Sequence, residues 1–267
     1  MTTSLADRYG DPHSTLAVTS EVVAAQLAHR SVRAFLPEPV GDDLLTALVA
    51  AAQSAPSSSN LQPWSVVAVR DPERKARLAA LAGGQAFIAQ APLFLVWLVD
   101  LGRARRLADA AGTTVDAVDY LDTTLIGFVD AGLAAQNALL AAESLGLGGV
   151  FVGALRNRPL EVAEELGLPA HTTVAFGLAV GHPDPDERAG VKPRLPQDAV
   201  LHHERYDAER ADAPIAAYDE RLGAYNARFG LVGTWTDRIL TRLAGPQAMS
   251  GRHEMRAHLA ARGLPSR

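Results

Sequence analysis

The sequence predicts an α+β fold, and three observations carry that reading. Short apolar segments rich in Val, Phe and Trp read as strands. Longer segments repeat their apolar residues at helical spacing. The two kinds do not alternate at the even spacing of a βαβ array, which disfavours a doubly wound sheet. With 267 residues, 48% of them hydrophobic, the chain is too apolar for disorder and long enough to bury a sizeable core.

Residues 1–20 are polar and unperiodic and are expected to form a loose leader. Glu21 to Ala28 reads as a short helix ending at His29-Arg30-Ser31-Val32-Arg33. Asp43 to about Gln53 reads as a second helix, with Leu44, Leu45, Leu48, Val49 and Ala52 on one face. Pro56-Ser57-Ser58-Ser59-Asn60 breaks that pattern. Trp64–Val69 and Phe94–Val99 read as strands, the second fully buried, with a charged helix from Pro72 to Ala82 between them. Thr123 to Leu145 is the longest helical stretch, with so few polar residues that most of its circumference should be buried. Gly146 reads as its C-cap and Gly148-Gly149 as a tight turn before a third strand, Val150–Val152. A fourth strand runs from Thr173 to Val180. Charge rises beyond Pro196, and helical pieces fall near Ile215–Arg228, Trp235–Leu243 and Glu254–Arg262. The expected organisation is a core over 21–196 and a helical extension over 197–267 that wraps other structure.

Composition removes several chemistries. No cysteine means no disulfide, thiolate nucleophile or Cys-ligated metal. A net charge of -5, from 25 Lys+Arg against 30 Asp+Glu, argues against general nucleic-acid binding. The first residues have neither the basic start nor the apolar core of a signal peptide. No uninterrupted apolar run approaches the roughly 20 residues of a spanning helix, so a cytoplasmic protein with no membrane partner is expected. No metal site is expected either: His253 and His258 stand five apart, about 140° around a helix, rather than on one face.

In an acidic chain, two compact cationic clusters suggest an anion site: His29-Arg30-Ser31-Val32-Arg33 and Lys192-Pro193-Arg194. Arg and Lys meet phosphate oxygens with charge-assisted bonds, and a serine hydroxyl fills remaining acceptors. Pro193 stiffens the backbone between two of the cations. Basic residues also favour the last turn of a helix, which by itself would account for Arg30. No Ser-His-Asp elbow and no G-x-G-x-x-G in the strand-to-helix order is present.

Taken together, these segments resemble the NfsA/Frp branch of the nitroreductase family, NADPH-dependent FMN flavoproteins. The matching motifs are His29–Arg33 with Phe35, the serine run ending in Leu61-Gln62, Gly83-Gly84-Gln85, the long block Ala134–Val150, Leu155-Arg156-Asn157, Gly181-His182-Pro183 and Val191–Pro196. The resemblance implies a central, mainly antiparallel sheet surrounded by helices, in an intertwined homodimer with bound FMN. It implies that His29, Arg30, Ser31, Val32, Lys192, Pro193 and Arg194 hold the FMN phosphate segment and that Arg33 faces the pyrimidine edge of the ring. Ser57 and Gln85 match flavin-contacting positions. Phe151-Val152-Gly153-Ala154 match the strand end whose backbone N–H points at the flavin N5. Ser59, Arg228 and Arg252 match positions toward substrate and NADPH.

The implied chemistry needs no side-chain acid, base or nucleophile, because flavin N5 carries the hydride from NADPH or NADH to the oxidant. Two departures stand out. Ala154 replaces a second glycine, and Phe229–Gly233 is shorter and less basic than the family's NADPH-phosphate loop. Three functions remain open: an oxidoreductase acting on nitroaromatics, quinones or free flavin, a reductase supplying reduced FMN to a partner enzyme, or a flavin-sequestering protein with little turnover.

Overall fold

A computed structural model describes residues 5–267. In chain order the helices are α1 (Leu5–Tyr9), α2 (Glu21–Ala28), α3 (Asp42–Gln53), α4 (Pro72–Leu81), α5 (Ala86–Gln90), α6 (Gly102–Ala110), α7 (Leu121–Ser144), α8 (Pro159–Glu165), α9 (Ala208–Asp212), α10 (Ile215–Arg228), α11 (Trp235–Arg242) and α12 (Met255–Ala261). The strands are β1 (Trp64–Val69), β2 (Leu93–Asp100), β3 (Gly148–Val152) and β4 (Thr172–Gly181). Two compact units result: Met1–Arg30 with Arg188–Ala248, and Ser31–Glu187 with Met249–Arg267. These cut the chain at other places than the 21–196 and 197–267 division expected from composition.

The larger unit is built on an antiparallel sheet of order β1-β2-β4-β3, the α+β arrangement expected. β2 pairs on both edges and all eight of its residues are buried, which is why its sequence is a continuous apolar run instead of an alternating one. One face packs Phe94, Val96 and Leu98 with Leu78, Ile88 and Leu155. The other packs Leu95 and Trp97 with Leu48 of α3 and Ala134, Ala135, Ala138 and Leu139 of α7. Small residues let α7 approach closely: a Cβ on Gly127 would lie 2.4 Å from Val99 Cγ1.

By length and hydropathy α7 could cross a membrane, yet it carries the buried Asp130 and lies against α3 and the sheet as a core helix. Its burial is less complete than expected. Leu121, Leu125, Val129 and Leu133 form an exposed apolar ridge at four-residue spacing.

In the smaller unit, Tyr218, Leu222 and Tyr225 of α10 pack with Leu195, Phe229 and Trp235. A capping box starts α11: Thr234 accepts from the Asp237 amide at 3.0 Å, and the Asp237 carboxylate accepts from the Thr234 amide at 2.9 Å. The expectation of a loose leader is corrected for residues 5–9, which form α1 and bury Arg8; residues 1–4 lie outside the described residues.

Candidate functional site

Arg8 explains how His29-Arg30 and Lys192–Arg194, all in the smaller unit, are held together. The residue is 8% exposed, and its guanidinium donates from Nη1 to the Lys192 carbonyl at 3.1 Å. Nη2 donates to the carbonyls of Leu27 and His29, each at 2.7 Å. The Arg194 amide returns a bond to the Arg8 carbonyl at 2.9 Å. A single planar fork thus ties the end of α2 to the Lys192–Arg194 segment. Pro193 is buried, with its carbonyl accepting the Tyr218 hydroxyl at 3.1 Å. Burial pushes the Tyr218 phenol above its ordinary pKa, so it stays a neutral donor. Arg194 is exposed and turns back to the Lys192 carbonyl at 3.2 Å.

Apart from Arg228, the remaining candidates lie in the larger unit. Ser31 bridges Gly149 in parallel, and the Val32 amide donates to the Gly149 carbonyl at 3.1 Å. This corrects the tight-turn reading of Gly148-Gly149: both are strand residues of β3. They are glycines because other groups come close. A Cβ on Gly148 would lie 2.6 Å from Val32 Cγ2, and one on Gly149 would lie 2.8 Å from the Ala179 carbonyl oxygen. The Arg33 and Ala34 amides both donate to Glu187 Oε1, at 2.6 and 3.2 Å. The Arg33 guanidinium is 6.0 Å from the Phe87 ring centroid. Phe87 follows Gln85 in α5, and Gln85 is delivered by two left-handed glycines, Gly83 (φ 77°) and Gly84 (φ 79°).

Ser57 lies on a strained loop, since Ser59, Asn60 and Gln62 all have positive φ. Asp130 of α7 fixes that loop. It accepts from Ser57 Oγ at 2.7 Å and from the Ser58 amide at 3.2 Å. Ser57 Oγ also accepts from the Gln62 amide at 2.8 Å, which leaves it one lone pair, able to accept and not to donate. At the end of β3, Phe151 is partly exposed and meets Phe176 edge-on at 5.5 Å, Val152 is buried and Ala154 packs against the core. Gly153 opens a 3₁₀ turn, Gly153–Asn157.

Of the substrate-side candidates, Ser59 is exposed on the strained loop. Arg228 ends α10 with its guanidinium 5.3 Å from the Tyr225 ring centroid. It lines an open cleft of about 1060 Å³ in the smaller unit, together with Asp11, Arg221 and Phe229. Arg252 belongs to the larger unit, after Gly251 (φ 88°), where a Cβ would lie 2.9 Å from the Asn157 carbonyl oxygen.

The groups suit a flavin mononucleotide by their donor chemistry: cations and a hydroxyl in one run for a phosphate, and a guanidinium, an amide side chain and strand-end backbone for a ring. The nitroreductase family pattern matches residues 27–182, and the pattern of that family's C-terminal domain matches residues 192–267. The chain belongs to the nitroreductase family. It is 41% identical over 244 residues to the NADPH-flavin oxidoreductase of Vibrio harveyi, covering 90% of this chain and 97% of that one. It is 39% identical over 225 residues to the oxygen-insensitive NADPH nitroreductase of Salmonella typhimurium, covering 82% and 90%. Among solved structures it resembles the Vibrio harveyi NADPH:FMN oxidoreductase complexed with NAD+ (TM-score 0.81, 39% identity, 93% and 100% covered). It also resembles the hypothetical oxidoreductase YcnD of Bacillus subtilis (TM-score 0.87, 39% identity, 92% and 98% covered).

Sequence reading missed three supports in this nitroreductase-family chain. Arg8 stands in a stretch without periodicity, and nothing local shows that it meets distant carbonyls. Glu187 sits in a polar turn region and clamps residues 33 and 34. Asp130 was visible as a rare charge in an apolar helix, a signal for buried hydrogen bonding, but its partners were not.

Proposed function

We propose that the chain is an FMN-dependent NAD(P)H oxidoreductase, a reading carried by the Arg8 fork that joins the two cationic clusters and supported by family membership. His29, Arg30, Lys192 and Arg194, with Ser31, hold the phosphate, and Val32 and Pro193 keep those residues in place. Arg33 faces the pyrimidine edge, with Ser57 and Gln85 as further ring contacts, and the backbone of Phe151, Val152, Gly153 and Ala154 lines the ring. When bound, FMN would supply the two-electron hydride chemistry that ping-pong exchange between NAD(P)H and an oxidant requires. The protein contributes orientation and charge. The Arg33 guanidinium favours the more negative, reduced state, and the Phe87 ring and the Glu187 clamp on its backbone limit its freedom.

Ser59 and Arg252 face the substrate, and Arg228 takes the adenosine 2′-phosphate of NADPH, which makes NADPH the preferred donor. Acceptors are nitroaromatics, quinones or free flavin. The working unit is a homodimer in which residues 197–267 embrace the partner and shape the substrate cavity. The exposed apolar ridge of α7 supports that assembly, and the need for NAD(P)H suits the cytoplasm.

The visible spectrum tests the cofactor. Purified protein should show flavin absorbance that bleaches within seconds on anaerobic addition of NADPH and returns on addition of a nitroaromatic. Persistent yellow colour would favour a sequestering protein instead. Arg194→Ala and His29→Ala should each lose flavin on dialysis while Arg205→Ala keeps it; full retention in both site variants would refute the phosphate assignment. Turnover compared with NADPH and NADH, before and after Arg228→Ala, checks donor preference, with equal efficiencies for the parent defeating it.

A further inference from the structure

The 3₁₀ turn after β3 places a charge behind the strand end. Residues three apart eclipse in such a turn, and Arg156 accordingly folds back over Gly153: a Cβ on Gly153 would lie 3.2 Å from Arg156 Nη2. This explains the glycine: the space a side chain would fill belongs to a guanidinium. Arg156 is half-buried, and its Nη1 donates to the Ala175 carbonyl of β4. Burial alone pushes its pKa below the ordinary arginine value, with no carboxylate acting on it. Arginine nevertheless stays charged. A guanidinium withdrawn from water is normally paired with an anion, and the fold provides this one with a carbonyl dipole.

We infer that Arg156 is a positioning residue for the flavin reaction: its guanidinium, lying against Gly153, fixes the strand-end backbone and supplies positive charge that favours the reduced state of the bound ring. The inference rests on the assignment of Phe151–Ala154 to the flavin. It adds to Arg33 a second cation, one that reaches the ring through the peptide of Gly153 and not by direct contact.

The experiment is a potentiometric titration of the FMN-loaded protein for the parent, Arg156→Gln and Arg156→Lys, with flavin content per chain measured alongside. In Arg156→Gln the reduced-to-oxidised ratio at fixed potential should fall about tenfold, a two-electron midpoint lower by about 30 mV. Arg156→Lys should stay near the parent. An unchanged midpoint in a glutamine variant that retains FMN would overturn the inference and leave the proposed activity standing, whereas a parent without FMN would overturn both. Should the glutamine variant shed its flavin, the lysine variant decides: a parental midpoint upholds the inference, and a tenfold fall despite the retained charge overturns it.

Discussion

Arg8 spends its guanidinium on main-chain carbonyls of Leu27, His29 and Lys192, an economical use of a planar fork that no other side chain reproduces. Replacing it removes the geometric link between the clusters while leaving every proposed phosphate ligand in place. Arg8→Met keeps much of the stem and loses the fork. The cofactor-free protein should lose at least about 1.5–3 kcal/mol of stability, the usual worth of one hydrogen bond to a charged group, read as a lower urea midpoint. Flavin retention should fall too. Arg8→Lys should recover little of either, because one ammonium cannot span three carbonyls in that arrangement. Parental flavin affinity in Arg8→Met would show that the clusters do not depend on this residue.

At the scale of elements, Ser31 and Val32 lie against Gly149 because β3 begins with two glycines. Gly148→Ala would set a methyl 2.6 Å from Val32 Cγ2, and overpacking of that kind costs about 1–3 kcal/mol. If the clash is the cause, Val32→Ala should relieve part of it, giving a favourable coupling energy in a double-mutant cycle; strictly additive losses would place the cause elsewhere. A pH dependence belongs to the α4–α8 pair. The Arg77 hydrogen bonds at 2.9 and 3.1 Å hold the Glu165 carboxyl below its usual range, with Arg74 adding another at 3.1 Å. A depressed carboxylate stabilises the fold above its unfolded pKa and loses that contribution as pH falls through the folded value. The stability gap between the parent and Glu165→Gln should therefore be full at neutral pH and close below about pH 4, with urea midpoints along a pH series as the measure. The strands and long helices were legible because burial on two faces, or on one helical face, imposes a periodic residue pattern. α1, α5, α6, α8 and α9 were not, and Arg8 is buried through partners remote in sequence. Gly148-Gly149 misled for a related reason: a glycine pair signals a turn and a close approach equally well, and Val32, which decides between them, lies far upstream. The cationic clusters were legible as local concentrations of charge, whereas the Arg156–Gly153 contact depends on a 3₁₀ turn that leaves little trace in sequence.

At the scale of the whole molecule, one line of apolar side chains on α7 stays exposed. The ridge Leu121, Leu125, Val129 and Leu133 runs along α7 at four-residue steps, which keeps it on one slowly winding line of the helix surface. Its other faces serve the core, so the sequence could report that α7 is apolar nearly all round but not that one line would lack a partner inside the chain. A two-fold contact counts each residue twice. Half-exposed side chains gain roughly 1 kcal/mol apiece on burial, so eight of them offset much of the cost of association, itself about 4–15 kcal/mol. The ridge alone is thus close to break-even. Further surface is needed, and the smaller unit exposes Val232, Leu240 and Leu243 as well. The proposed homodimer, being so balanced, should respond sharply to one buried charge. Leu125→Lys sits on the exposed line and leaves the chain's own core untouched, so the variant should fold. Its mass by light scattering should drop from twice the 28.2 kDa chain toward a single chain, and flavin content should fall with it if the partner completes the site. A variant that remains dimeric with lysine at the centre of the ridge would remove α7 from the interface.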